Sequence, residues 1–201
     1  MNALILVETQ RNPVDESIDR HLRFLPADWI PIVVCSAKNE DMIKCKKYIV
    51  NPITPDRYYH DYNQLFARPE FWRTFTEYER VMICHQDSGL LRTGVEDFMQ
   101  YDYVGAPWVF QDHGGNGGLS LRNPRTMTEI ALRFRYSLRE YEDVFFCNRM
   151  HENNIGKLAP RKVCERFSCE TIFALGTFGY HGIEKYMTAD QVKKVLNQYK
   201  K

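Results

Sequence analysis

Three short, unbroken apolar runs, Ala3 to Val7, Trp29 to Cys35 and Val81 to Cys84, constrain this chain more than any other feature. A strand that is apolar at every position is covered on both faces, and such strands belong to parallel sheets sandwiched between helices. The segments between them carry helix signals. Asn12-Pro13 reads as a cap and first helical position, with Asp15 and Glu16 in the first turn and Ile18, Leu22 and Leu25 along one face. Asn39-Glu40-Asp41 starts a short helix before a weak third strand at Tyr48 to Val50. Strands alternating with helices predict an α/β chain with a mostly parallel central sheet flanked by helices. A length of 201 residues is room for one such core, so a single domain over 1–201 is expected.

Composition removes several classes of function. With 27 basic and 26 acidic residues the chain has no electrostatic footprint for a phosphate backbone, so nucleic acid is not an expected partner. Its apolar runs fall far short of the roughly 18 residues that span a bilayer, and no signal-peptide pattern opens it. No transmembrane segment and a cytoplasmic location are therefore expected. The 6 cysteines are scattered without a CxxC, which reads as free thiols in a reducing compartment.

Further along, Asn51-Pro52 and Thr54-Pro55 break the chain, and Tyr58, Tyr59, Tyr62, Phe66, Phe71, Trp72 and Phe75 recur at helical spacing on two short helices. Such a stripe is read as core rather than as a platform for bases. A strand at Leu119 to Arg122 leads into a helix capped by Asn123 and opened by Pro124. Glu142-Asp143 begins another helix through Met150, Phe167 to Glu170 is a short strand, and Thr188 caps a last helix over 189–199.

Four groups of residues carry chemistry. His85 and Asp87 lie just past a strand end, where open α/β sheets bind ligands; two apart on an extended chain, they face one volume and suit a divalent cation bridging a diphosphate. Equally, they read as a polar strand end with Asp87 capping the turn at Ser88-Gly89. Gly114-Gly115-Asn116-Gly117-Gly118 reads as a flexible loop bringing backbone N–H groups to a sugar or phosphate, or as a surface hairpin; it has neither the P-loop nor the dinucleotide spacing. Glu142 and Asp143 are explained by the helix dipole or by a general base for a hydroxyl. His181, between Gly179 and Gly182, sits on an expected flexible segment as a late metal ligand or a structural histidine.

Taken together, Gln86-Asp87-Ser88-Gly89-Leu90-Leu91-Arg92, Tyr101-Asp102-Tyr103-Val104-Gly105-Ala106-Pro107-Trp108, GGNGGLSLRN over 114–123 and Glu142-Asp143-Val144-Phe145-Phe146 resemble a family of glycosyltransferase-like domains found in large DNA viruses, fungi and other microbes. The resemblance implies a GT-A fold, a nucleotide-binding α/β sandwich whose Asp-x-Asp motif holds a metal on a sugar nucleotide; here His85 replaces the first aspartate. It further implies that Glu8, Thr9 and Arg11 border the nucleotide and that Gly117 and Gly118 belong to the acceptor and donor-sugar loop. Asp143 would be the catalytic base with Glu142 beside it, and His85, Asp87 and His181 the ligands of Mn²⁺ or Mg²⁺. The implied activity is metal-assisted, inverting transfer from a nucleotide diphosphate-sugar donor to a hydroxyl of a glycan or glycoprotein. The His85 replacement keeps open a nucleotide- or glycan-binding module without turnover. A nucleotidyltransferase is the third alternative, without a triphosphate loop to support it.

Overall fold

The computed structural model describes residues 1–53 and 55–199; Thr54 of the expected proline break lies outside them, as do the side chains of Pro55 and Tyr58. The chain forms β1 (Asn2–Val7), α1 (Asp15–Leu22), β2 (Trp29–Cys35), β3 (Lys46–Ile49), α2 (Tyr58–Phe66), α3 (Pro69–Arg73), β4 (Val81–Cys84) and β5 (Ser88–Leu90). It continues through β6 (Tyr103–Ala106), β7 (Asn116–Arg122), α4 (Pro124–Arg133), α5 (Glu142–Asn153), α6 (Arg161–Phe167), β8 (Ser168–Cys169), β9 (Gly179–His181) and α7 (Ala189–Asn197). Six strands form the main sheet in the order β3-β2-β1-β4-β7-β6. β3, β2, β1 and β4 pair in parallel, and β7 runs antiparallel to both β4 and β6. Five strands thus point one way, as the continuous apolar runs require.

Alternation along β1 builds a core on each face. Ala3, Ile5 and Val7 pack with Ile83 of β4 and with Tyr62, Phe66, Phe71, Trp72 and Phe75. Those five rings are 0–6% exposed, and burying each contributes roughly 1.5–3 kcal/mol. The expected aromatic stripe is therefore core, except that Tyr59 points outward at 69% exposure. Leu4 and Leu6 face the other way, against Ile18 of α1, Met82 of β4 and Phe167 of α6.

Several boundaries move for identifiable reasons. α1 begins at Asp15 with Val14 at the cap position and no side-chain cap, while the Asn12 amide, further upstream, donates to Glu8 Oε2 (3.0 Å). Asn123 and Thr188 do cap, accepting from the backbone N–H groups of Arg125 and Gln191. The late strand shrinks to β8 because Phe167 ends α6. All 6 cysteines are free thiols, 5 of them buried. Among the described residues no helix is long and apolar enough to cross a membrane.

A second sheet, β5-β9-β8, stands at the end of β4. Its strands are two or three residues long and come from distant parts of the chain, with Ser88 of β5 opposite His181 of β9. This small sheet positions half of the site.

Candidate active site

The main chain leaves β4 through His85, whose N–H donates to Gly118 O of β7 (2.8 Å) and so extends the ladder by one rung. It then turns, with the Ser88 N–H donating to His85 O (3.1 Å). His85-Gln86-Asp87 is therefore a turn and not the extended stretch expected from sequence. The His85 and Asp87 side chains nevertheless reach one spot, and β9 brings His181 to it, the Gly182 N–H donating to Asp87 O (3.0 Å). One ligand atom from each of His85, Asp87 and His181 lies within 4.8 Å of the other two. His181 is held in β9 at 7% exposure, which corrects the expectation of a flexible segment.

The glycine-rich run is likewise not a flexible loop. Asn116, Gly117 and Gly118 belong to β7, and close packing is what demands glycine there. A Cβ on Gly118 would lie 2.3 Å from His181 Nε2, and one on Gly117 would lie 2.6 Å from Glu142 Oε1. Both glycines make room for buried side chains that border the cleft.

Charges around the cluster are strongly coupled. His181 Nδ1 is 3.0 Å from Glu170 Oε1 and its Nε2 is 3.3 Å from Asp87 Oδ1, yet neither ring nitrogen makes an aligned hydrogen bond. Burial opposes charge on this ring, and the two carboxylates outweigh it, raising its pKa to about 9. Burial likewise disfavours the Asp87 anion, but His181 and the Lys185 ammonium (2.7 Å) hold its carboxyl well below the usual range. His85 moves the other way, to about 3, because of burial and the neighbouring His181 charge; its Nε2 meets Tyr62 Oη at 2.8 Å. His85 is thus the neutral, ligand-competent imidazole, whereas His181 has to give up its proton before it can bind a cation.

Asp143 lies at the start of α5, 9% exposed, with the Gly117 and Val144 N–H groups both donating to its carboxylate (2.8 Å). Burial, with Glu142 next to it, raises its pKa to about 7 against those donors and Arg122. Glu142 is engaged elsewhere: Arg122, fully buried, donates to both its oxygens (2.6 and 2.8 Å), and Asn63 Oδ1 accepts its N–H (2.8 Å). The Arg122 guanidinium sits 4.7 Å from the centre of the Tyr103 ring. A buried, bidentate pair of this kind fixes the start of α5, and with it Asp143.

These groups line one cleft of about 740 Å³. Glu8, Thr9, His85, Asp87, Gly117, Gly118, Glu142, Asp143 and His181 all border it, so nine of the ten residues singled out from sequence meet there. The tenth, Arg11, turns away and pairs with Asp41 at 3.2 Å on the surface. Thr9 is held in the wall by the Ile53 N–H, which donates to its Oγ1 (3.0 Å).

A family model described as "Protein of unknown function (DUF5672)" matches residues 50–181. The chain belongs to that family. The matched segment holds His85, Asp87, Asp143 and His181 of the cleft, whereas Glu8 and Thr9 lie outside it. No curated protein matches the sequence. Among solved structures, the apo form of the glycosyltransferase GlyE of Streptococcus pneumoniae TIGR4 is similar at a TM-score of 0.53 and 11% identity, over 94% of this chain and 55% of that one. The chain thus spans about half the length of that enzyme. Mouse xyloside xylosyltransferase 1 in its apo form is similar at a TM-score of 0.50 and 12% identity, over 94% of this chain and 100% of that one. This member of the family has the glycosyltransferase fold of these two structures.

Sequence reasoning missed five contributors in this DUF5672 chain. Tyr62 reads as core and is core, but its hydroxyl meets His85. Asn63, Glu170 and Lys185 sit in no recognisable pattern, and only the pairing of distant segments joins them to the cleft. Arg122 was missed as well, although a charge inside a strand that is otherwise apolar or small signals a buried partner.

Proposed function

We propose that this chain transfers a sugar, with inversion, from a nucleotide diphosphate donor to a hydroxyl of a glycan or protein-linked acceptor, as a single domain. One observation carries the reading: in a chain with this fold, a buried carboxyl with a pKa of about 7 shares a cleft with a His-Asp-His cluster. The cluster fits a divalent cation, because two imidazoles and a carboxylate suit Mn²⁺ and the buried His181 nitrogens have no aligned donor or acceptor to satisfy them. When bound, the cation supplies Lewis-acid neutralisation of charge on the leaving diphosphate.

The chain's own residues do the rest. His85, Asp87 and His181 hold the cation, and Glu170, 3.0 Å behind His181 Nδ1, orients that ring. Asp143, poised near neutrality, takes the proton from the acceptor hydroxyl as it attacks the anomeric carbon. Arg122 and Glu142 keep Asp143 aimed into the cleft. Glu8 and Thr9 wall the nucleotide end.

A second reading, a nucleotide- or glycan-binding module without turnover, is favoured by the Lys185 ammonium, which already occupies Asp87 Oδ2 at 2.7 Å. Incubating the chain with a panel of nucleotide sugars and Mn²⁺, and measuring released nucleoside diphosphate, separates the two. Release with one donor supports the transferase; no release with any, from a chain that still binds nucleotide, supports the module.

A further inference from the structure

Large rings exposed to water are uncommon unless something covers them, and here they are concentrated. Among the described residues six aromatic side chains are exposed, and four of them line the cleft: Tyr59, Phe110, Tyr141 and Tyr186, at 69%, 67%, 59% and 56% exposure. They come from four separate segments: α2, the β6–β7 connection, the residue before α5, and the stretch between β9 and α7. Phe110 lies nearly parallel on the buried Trp108, at 23° and 5.3 Å between centroids, so one face is backed by the protein. Tyr59 and Tyr141 meet edge to face at 6.1 Å, and Tyr141 stands two residues before Asp143.

We propose that these four rings form the acceptor subsite and that their ligand is a neutral oligosaccharide. Sugar rings present C–H faces that stack on aromatic planes, while their hydroxyls need polar partners, which the same cleft supplies in Asn116 and Asp143. The rings carry no charge, and among the described residues lining the cleft the one ammonium, Lys185, is tied to Asp87, which leaves little charge to favour an anionic ligand. A nucleobase has area for one or two rings, whereas four rings from four segments suit several sugar units. The assignment deepens the transferase reading and rests on it for which hydroxyl meets Asp143.

The test is isothermal titration of the whole chain, without donor, against maltohexaose, cellohexaose, xylohexaose, mannohexaose and chitohexaose. Binding of at least one is expected, weakened roughly tenfold or more by Tyr141→Ala and by Phe110→Ala and retained by Tyr141→Phe, the scale of losing one stacking contact. The thermal shift produced by nucleoside diphosphate with Mn²⁺ is expected to stay unchanged in all three variants. No binding across the panel, or binding that survives both alanine variants, overturns the proposal. So does loss of the nucleotide shift instead, which would assign the rings to the donor base. Oligosaccharide binding through these rings in a chain that binds no nucleotide would refute the transferase reading alone and leave the subsite standing.

Discussion

Two aspartates border the same cleft and are driven in opposite directions by their surroundings. At the start of α5, Asp143 is buried beside another carboxylate, and its pKa rises to about 7. At the β4–β5 turn, Asp87 is 40% exposed between an ammonium and an imidazole, and its carboxyl is held well below the usual range. The first is equipped to exchange a proton at neutral pH, and the second to stay an anion and hold positive charge. Divergent environments of this kind divide the roles of chemically identical groups. Their supports differ too: the main sheet and a buried ion pair fix Asp143, whereas Asp87 depends on a small sheet of very short strands.

The comparison breaks first at Asp143. Asp143→Asn should lower sugar transfer by roughly 10²–10⁴-fold while donor affinity stays within about twofold, as initial rates and a nucleotide titration will show. A loss under about tenfold would assign the base elsewhere.

Next in size is the support of α5. Arg122→Met leaves Glu142 buried without its partner and should cost about 3–5 kcal/mol, a fall of roughly 10 °C in Tm. Adding Glu142→Leu should restore most of that Tm, and no recovery would show that Arg122 acts through its aromatic packing alone. On the other side of the cleft, Gly118→Ala drives a methyl into His181 and should cost about 1–3 kcal/mol. It should also abolish Mn²⁺ binding followed by electron paramagnetic resonance, and unchanged Mn²⁺ affinity would remove His181 from the cluster.

Smaller effects follow from proton linkage. Folded Asp143 keeps its proton up to about pH 7, whereas its ordinary value is 3.8, so its contribution to stability is lost as pH rises through that window. Asp143→Asn should therefore gain Tm over the parent chain above pH 7, by a few degrees, and show little gain near pH 4. His21 tests the other support. Its buried ring donates from Nδ1 to Ser17 O (2.6 Å) and meets Ser88 Oγ at 3.0 Å, beside the Asp87 turn, and burial lowers its pKa from 6.5 to about 4. The unfolded chain takes up this proton first, so stability should decline as pH falls from 6.5 to about 4 and level off below. His21→Gln should flatten that slope in thermal unfolding, and an unchanged slope would assign it to other groups.

Legibility in the sequence followed the same division. β1, β2 and β4 were readable because every residue in them but Asn2 is apolar, and Asn123 and Thr188 because capping is local chemistry. Of the small sheet only β8 was anticipated, within the expected strand at Phe167 to Glu170, since β5 and β9 are three-residue strands with a glycine and have no period to detect. That loss hid why His181 reaches Asp87, and it turned Gly117 and Gly118 into an expected loop when they are close-packed strand. Asp143 and His85 stood out by residue type beside a strand or helix end, whereas Lys185 and Glu170 acquire meaning only from partners far away in sequence.

The division of labour between the two aspartates is tested most directly by thermal unfolding with a panel of nucleoside diphosphates, each with and without Mn²⁺, on the parent chain and on Asp87→Asn and Asp143→Asn. A ligand at about 100 times its Kd adds about 2.7 kcal/mol, a rise of several degrees for a chain of this size. The account predicts a Mn²⁺-dependent rise with one nucleotide that disappears in Asp87→Asn and persists in Asp143→Asn. No rise with any nucleotide, or a rise that survives in Asp87→Asn, would contradict it.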